Sequence, residues 1–412
     1  MACWCPLPTP PVPPPTVRIN ADNDNEDRFV PLGLLSLSLL ATAGVCLAAG
    51  PTQQASSKSA QTFAPIPVNS IFRPVQANGT ADDALASGRV VAGVYPPAAH
   101  AGKHWRIAFL FPHMKDPYWA GVAYGVISEA RRLGVAVDIL PATGYDDLHG
   151  QLQKMDEAIA ARYDAIVVSP ISMTANNLSI AKARAAGIPV LELANDSRSD
   201  ELALKVTTSL RSMGMEATRW AIRDAQQRGL KTINIALLPG PMGAGWVKGE
   251  VDGARIAAQE APIEVNILDI RYGDSERGLQ AQLTGRILNK HGARLDYILG
   301  CTGCAPAALG PIKAAKLDDK IRVVAFDLTG EIAQLIRSKE ISAAADTKGV
   351  SQARVAINAA VNLLEGRTRE QPHTILVKLG MLDQQNLANY PFDTSIAPEG
   401  YRPQLSYDPA KE

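Results

Sequence analysis

One stretch of the sequence, residues 105–140, changes its hydrophobic period twice, and this change limits the folds open to the chain. An apolar run at 107–111 ends at Pro112, an amphipathic helical pattern fills 119–133, and a second apolar run follows at 135–140. A switch from strand period to helix period and back indicates a βαβ unit. In such a unit the loop after the first strand opens at the carboxyl edge of a parallel sheet, where ligands bind. That loop is therefore the first candidate for a functional site.

The same alternation continues through most of the chain. Nine strand-like runs lie between residues 106 and 345, helical patterns separate them, and a long helical pattern follows at 351–365. Alternating strands and helices predict parallel sheets with helices on both faces. Because the pattern breaks near residues 207–209, we expect an α/β fold with two doubly wound, Rossmann-like lobes joined by a hinge. The predicted lobes are 105–208 with 348–370 and 209–347 with 371–385, followed by a carboxyl-terminal tail at 386–412.

The amino-terminal part of the chain has a different composition. Residues 29–49 form one long apolar segment that follows Arg28 and ends in small residues, which is typical of a secretory signal peptide. An uncleaved amino-terminal membrane anchor is the alternative. We interpret residues 1–49 as a leader and residues 50–104, rich in Ala, Ser, Pro and Gln, as a loosely structured arm.

Two sets of motifs carry a resemblance to a known family. Residues 105–380 follow the plan of a type I periplasmic binding protein, and the corner Asp116-Pro117-Tyr118-Trp119 is similar to the first loop and helix of that family. Three further segments resemble, in order, the TorT-like group of the family, which serves trimethylamine-N-oxide respiration; they are 111–119, 238–245 and 397–403.

The resemblance implies a function and a partner. We expect a periplasmic protein that binds a small molecule, trimethylamine N-oxide or a related compound, and signals to the periplasmic domain of a membrane sensor histidine kinase. The solute-binding subunit of an ABC transporter for a sugar or small amine, which docks on a permease, is the alternative. A repressor with the same lobes would need a DNA-binding helix-turn-helix at its amino end, where the apolar leader stands instead.

Four candidate ligand-binding residues lie in the loops of the first lobe. Tyr118 and Trp119 can stack on a sugar or attract a methylated ammonium group through their aromatic faces, or can pack in the core. Asp116 can accept hydrogen bonds from a ligand or cap the helix that follows it. Tyr145 follows the second strand, where the TorT-like pattern also has a tyrosine; a solvent-exposed loop residue is the alternative.

Three more candidates belong to the second lobe. Trp246 follows the glycine-rich segment 239–245 and is predicted to close the pocket from that side. Asp327 and Asp346 end two successive strands and can reach the cleft or simply cap their strands. The TorT-like pattern has a tryptophan where we place Leu210 and an aromatic residue at Asp327, so both positions depart from the pattern of a trimethylamine-N-oxide site.

The remaining motifs favour a binding protein over an enzyme. Cys301 and Cys304 form a C-x-x-C at a strand-to-helix loop, which predicts a disulfide in an oxidising compartment, with thioredoxin-like redox chemistry as the alternative. The sequence offers no second ligand pair for zinc and no hydrolase motif. The balance of 41 basic and 41 acidic residues gives no support to nucleic-acid binding. We therefore expect no cofactor, no metal and no catalysis.

We expect the mature protein to begin between Gly44 and Gln54 and to be soluble in the periplasm, because segment 29–49 ends in the small residues that signal peptidase accepts. Intact-mass measurement on a periplasmic extract identifies the start directly. Full-length protein in the membrane fraction would support the anchor instead.

Overall fold

The computed structural model describes residues 65–72, 79–367 and 372–412. The predicted leader at 1–49, with Cys3, Cys5 and Cys46, and the first part of the predicted arm lie outside these residues. Among the described helices, none is both long enough and apolar enough to span a membrane.

The described chain alternates strands and helices from residue 106 onward, as the sequence predicts. The strands are β1 (Ile66–Phe72), β2 (Arg89–Tyr95), β3 (Arg106–Phe111), β4 (Ala136–Pro141), β5 (Ala165–Val168), β6 (Val190–Leu193), β7 (Leu204–Thr207), β8 (Thr232–Gly240), β9 (Glu264–Tyr272), β10 (Tyr297–Gly300), β11 (Arg322–Ala325), β12 (Ala343–Asp346), β13 (Thr374–Val377), β14 (Gly380–Asp383) and β15 (Ser406–Tyr407). The helices are α1 (Ala81–Ser87), α2 (Pro117–Leu133), α3 (Leu148–Ala160), α4 (Asn177–Ala185), α5 (Leu210–Gln227), α6 (Gly245–Gln259), α7 (Arg277–His291), α8 (Cys304–Ala314), α9 (Gly330–Arg337) and α10 (Gly349–Leu364).

Within the described residues these strands form two sheets that are parallel at their centres. The first has nine strands in the order β15-β4-β3-β5-β6-β7-β13-β1-β2, and the second has six in the order β14-β12-β11-β10-β8-β9. Strand β3 pairs in parallel with β4 and β5, and β10 pairs in parallel with β8 and β11. The predicted α/β fold with two parallel-dominated sheets is confirmed. Parallel strands end at one edge of their sheet, so the loops that follow them collect there.

Close packing between α2 and α10 fixes the helix that begins at the first candidate loop. A Cβ atom on Gly125 would lie 2.6 Å from the carbonyl oxygen of Val350, so the two backbones approach at a distance that only glycine permits. Further along the same pair, the buried Asn358 donates a 2.5 Å hydrogen bond to Glu129, and Arg132 donates to the same carboxylate at 2.8 Å. These contacts hold α2 against α10.

The structure differs from the predicted loosely structured arm at 50–104. Its described part contains α1 and two strands, and β1 pairs antiparallel with both β2 and β13. The apolar residues of β1 alternate into the core, with Ile66 and Val68 buried, but the surrounding Ala- and Pro-rich composition hid this short pattern. The structure also divides the predicted segment 371–385, because β13 joins the first sheet and β14 the second. In the tail, β15 pairs with β4 of the first sheet.

Strand β7 was not predicted from the sequence, because a lysine lies at its centre. A lysine is unusual in a strand that is buried on both faces. Lys205 is fully buried, and its Nζ atom lies 2.7 Å from Asp196 and 3.4 Å from Glu192. The backbone N–H of Ala81 donates to the other oxygen of Asp196 at 2.7 Å. This buried ionic cluster joins β6, β7 and the start of α1, so it anchors the amino-terminal strands to the first sheet.

Replacing Lys205 with methionine should lower the free energy of unfolding by about 3 to 5 kcal/mol, because two buried carboxylates lose their shared cation. Urea unfolding of the purified protein measures this loss. Lys182→Met is the matched control, since Lys182 is half exposed and pairs with Asp156 at the surface, where an ion pair contributes about 1 kcal/mol or less. A loss below about 1 kcal/mol for Lys205→Met would contradict the stabilising role of the cluster.

Candidate ligand-binding cavity

A cavity lies between the carboxyl edges of the two sheets and collects most of the predicted site residues. It has a volume of about 60 Å³. From the first sheet it takes side chains in the loops after β3, β4 and β6, and from the second sheet it takes side chains after β8, β10 and β11. The predicted residues that line it are Asp116, Tyr118, Trp119, Tyr145, Trp246 and Asp327, and Leu210 lines it as well.

Asp116 caps α2 and also reaches across the cleft. Its Oδ1 atom accepts a 2.9 Å hydrogen bond from the backbone N–H of Tyr118, and Pro117 occupies the first helical position, where no N–H is needed. Its Oδ2 atom accepts a hydrogen bond from the hydroxyl of Thr302, which belongs to the second lobe. Burial raises the pKa of Asp116 above its ordinary value. Both oxygens are thus engaged by the protein itself.

Trp119 belongs to the core and the cavity wall at once. The side chain is 2% exposed, and its ring centroid lies 4.9 Å from that of Phe111 and 5.2 Å from that of Tyr118. Tyr118 in turn packs against the start of α10, where a Cβ atom on Gly349 would lie 3.1 Å from its ring. Burial raises the pKa of Tyr118 well above its ordinary value. The two predicted alternatives for Trp119, cavity or core, are therefore not exclusive.

Tyr145 connects the aromatic residues of the two lobes. Its ring centroid lies 5.3 Å from the ring of His113 and 5.9 Å from that of Trp246. The amide of Asn195 donates a 3.1 Å hydrogen bond to the Tyr145 hydroxyl, which fixes the ring. Burial raises the pKa of Tyr145, so the phenol stays neutral. Aromatic surface consequently lines the cavity from both sides.

Asp327 lies in the cavity wall opposite α2, at the carboxyl end of β11. Its Oδ1 atom accepts from the backbone N–H groups of Leu328 and Thr347 at 2.8 and 2.9 Å, and its Oδ2 atom accepts from the Thr347 hydroxyl at 2.7 Å. Burial, with a contribution from the nearby Asp346 carboxylate, raises the pKa of Asp327 to about 7. This carboxyl therefore changes charge near neutral pH.

Asp346 does not line the cavity, in contrast to its predicted ligand contact. It is 1% exposed, and Lys348 Nζ and the Tyr390 hydroxyl each lie 2.7 Å from its Oδ2 atom. The hydroxyl of Ser395 donates to the same oxygen at 2.5 Å. Tyr390 and Ser395 belong to the tail, so Asp346 anchors the tail at the crossover between lobes. Asp346 does not contact the cavity because these tail donors, which are distant in sequence, hydrogen-bond to its carboxylate.

The sequence reasoning missed a third acid in the cavity wall. Glu250 lines the cavity and is 2% exposed. It lies four residues after Trp246 on α6, and residues at this spacing share one face of a helix. That spacing from a predicted site residue is the signal that could have identified it.

Cys301 and Cys304 form a disulfide at the start of α8, as the sequence predicts for an oxidising compartment. Cys301 and Thr302 line the cavity, so the short loop that the disulfide closes is part of the wall. Among the described residues, no group of three or more His, Cys, Asp or Glu side chains is arranged to hold a metal ion.

Comparison with known proteins agrees with this architecture. Residues 107–368 match the periplasmic binding protein domain family. Periplasmic protein TorT of Escherichia coli K12 is 28% identical over 307 residues, which cover 74% of this chain and 86% of the relative. The D-allose-binding periplasmic protein of the same organism is 23% identical over 267 residues, covering 62% of this chain and 83% of the relative.

Solved structures show the same fold. An ABC transporter solute-binding protein from Bradyrhizobium sp. BTAi1 with bound bis-tris is 30% identical, with a TM-score of 0.69, and covers 84% of this chain and 99% of its own. TorT in complex with the TorS sensor domain, solved in the presence of trimethylamine N-oxide, is 26% identical, with a TM-score of 0.64, and covers 73% and 99% of the two chains.

The raised pKa of Asp327 predicts a pH-dependent stability. The folded protein holds this proton up to about pH 7, whereas the unfolded chain releases it near the ordinary value of 3.8. Stability is therefore lost as pH rises between these values, by up to about 1.4 kcal/mol per pH unit. Asp327→Asn, which cannot ionise, should gain stability relative to the wild type across that interval, as urea unfolding from pH 5 to 8 would measure.

Asp319→Asn serves as the control, because Asp319 is exposed and lies outside the cavity. Its stability should follow the wild-type pH profile. Parallel profiles for the wild type and Asp327→Asn would show that Asp327 does not titrate in this interval.

Proposed function

This chain belongs to the periplasmic binding protein family, and on that basis we propose that it is a periplasmic receptor for a small amine-derived compound, such as trimethylamine N-oxide or a relative, which it encloses between its lobes. The observation that carries the proposal is the composition of the cavity wall. Four aromatic rings from both lobes surround it, together with three acids. Aromatic faces attract methylated cationic nitrogen, and each such contact contributes about 0.5 to 2 kcal/mol.

The size of the cavity supports a small ligand. A cavity that holds one water needs about 10 to 15 Å³, so a volume of about 60 Å³ has room for a compact ligand. We therefore expect the cavity to accept a methylamine more readily than a hexose. Trp246 lines the cavity, and its buried indole Nε1 is a donor for an oxygen of the ligand.

The proposed partner is the periplasmic domain of a sensor histidine kinase. The support is the 28% identity to TorT and the likeness to the TorT chain solved with the TorS sensor domain. The tail offers a route for the signal, because it is anchored at the interlobe crossover by Asp346 and pairs through β15 with the first sheet. Lobe closure around a ligand would then alter the surface that the partner meets.

A second candidate function is the solute-binding subunit of an ABC transporter. One observation favours it: the Bradyrhizobium solute-binding protein covers 84% of this chain, whereas the TorT chains cover 73%. Deleting the gene in its native organism separates the two functions. Loss of uptake of labelled amine identifies a transporter subunit, and loss of an amine-induced transcriptional response with uptake unchanged identifies a sensor.

Trp119→Leu should weaken binding of methylated amines by about tenfold or more, because it removes an aromatic face while keeping an apolar side chain against Phe111. Isothermal titration calorimetry with trimethylamine and trimethylamine N-oxide measures the change. The control is Trp220→Leu, since Trp220 lies on α5 away from the cavity and donates to Asp383. Equal affinity of Trp119→Leu and wild type for every amine that binds would refute the assignment of this cavity.

A further inference from the structure

Glu250 is a buried carboxyl group that the protein leaves without a partner. It is 2% exposed, and its Oε2 atom is buried with no hydrogen-bond partner among the described residues. Burying an unpaired carboxylate costs several kcal/mol, so buried charges are normally paired. Since Glu250 lines the cavity, a ligand is the partner that the arrangement lacks.

The other two acids of the wall do not have this property. Asp116 accepts hydrogen bonds at both oxygens, from Tyr118 and Thr302, and Asp327 does so from Leu328 and Thr347. Glu250 therefore stands apart as the acid of the described wall that still requires a donor.

A second side chain of the cavity wall, Gln352, also has an acceptor atom that lacks a donor. Gln352 on α10 is 1% exposed and lines the cavity, and its Nε2 atom donates to the Thr347 carbonyl at 2.7 Å. Its Oε1 atom is buried with no partner among the described residues. Two acceptor groups thus lack donors in one cavity, and the described lining contains no lysine or arginine that could supply them.

The position of Glu250 is rigid. Helix α6 packs so closely on α5 that a Cβ atom on Gly214 would lie 2.1 Å from the Glu250 carbonyl oxygen, and one on Gly253 would lie 2.0 Å from that of Arg211. Glycines at both contacts lock the two helices together, backbone against backbone. The backbone of Glu250 therefore cannot shift without separating the two helices.

We propose that Glu250 determines specificity for a protonated amine, a cation with an N–H donor, over the corresponding neutral amine oxide. This inference rests on the proposed function, because it names the ligand class that the same cavity takes. The ammonium N–H donates to the Glu250 carboxylate while the methyl groups contact the aromatic rings. An amine oxide places a negative oxygen where the ammonium carries its proton, and that oxygen meets an acceptor.

The burial of Glu250 agrees with this assignment. It raises the pKa of the Glu250 carboxyl well above its ordinary value, with a smaller contribution from Asp327. A cation that enters the cavity opposes this shift, because it stabilises the ionised form of the carboxyl.

Trimethylammonium and trimethylamine N-oxide form a matched pair of probes, since they differ only in the proton or oxygen on nitrogen. At pH 7 trimethylamine is almost wholly protonated. Calorimetry on the purified protein should show trimethylammonium binding about tenfold or more tightly than the oxide, because a hydrogen bond to a charged group contributes about a decade in affinity. Glu250→Gln, which keeps the shape and removes the charge, should erase this preference and leave affinity for the oxide unchanged or higher.

Glu260→Gln is the control, because Glu260 follows the same helix and its carboxylate pairs with Arg219 at the surface. It should bind both probes as the wild type does. Tighter wild-type binding of the oxide, or an unchanged preference in Glu250→Gln, would overturn the inference while leaving the proposed function in place. Binding of ribose alone, or of none of these probes, would overturn both. Thermal unfolding of Glu250→Gln without ligand establishes that the variant is folded.

Discussion

The parallel direction of the central strands is the constraint on which the rest of this structure depends. Every parallel pair needs a crossover helix, and each crossover brings its loop to the same edge of its sheet. Two sheets built in this way present two sets of loops to each other. The cavity is the space between these sets, so the residues that line it come from distant parts of the chain, including Trp119, Tyr145, Trp246 and Asp327. The topology of the two sheets, and not a local sequence motif, brings these residues together.

This constraint explains how much the sequence could predict. Hydrophobic period located most of the strands and helices from residue 106 onward, and loop position placed six of the seven candidate residues in one cavity. The contacts of side chains whose partners are distant in sequence could not be predicted in this way. Strand β7 was not predicted because Lys205 interrupts its apolar run, and the carboxylates that stabilise this buried lysine cannot be identified from the sequence. Asp346 was predicted to contact the ligand, whereas its carboxylate is bound by donors from the tail. Glu250 could have been found from its spacing of four residues after Trp246 on α6, but its lack of a partner in the fold leaves no trace in the sequence.

The cavity contains acids that are hydrogen-bonded by the protein and an acid that has an oxygen without a donor. This difference affects how ligand preference can change within this family. Asp116 and Asp327 are held by several donors of the protein, which fixes loops and helix ends. The Oε2 atom of Glu250 has no donor among the described residues. Structural carboxylates are costly to replace because each leaves unpaired donors behind. A carboxylate without donors can be exchanged during evolution with little effect on the fold, and ligand preference can follow.

The hydrogen bond from Thr302 to Asp116 joins the two lobes across the cleft and involves no ligand. Because it forms only when the lobes are together, it favours the closed conformation of the empty protein by about 1.5 to 3 kcal/mol when Asp116 is ionised. A closed state that is already populated reduces the conformational penalty on ligand affinity. The same population must reopen before a ligand can enter, so we expect slow association. Affinity for a ligand is then gained at the expense of the association rate.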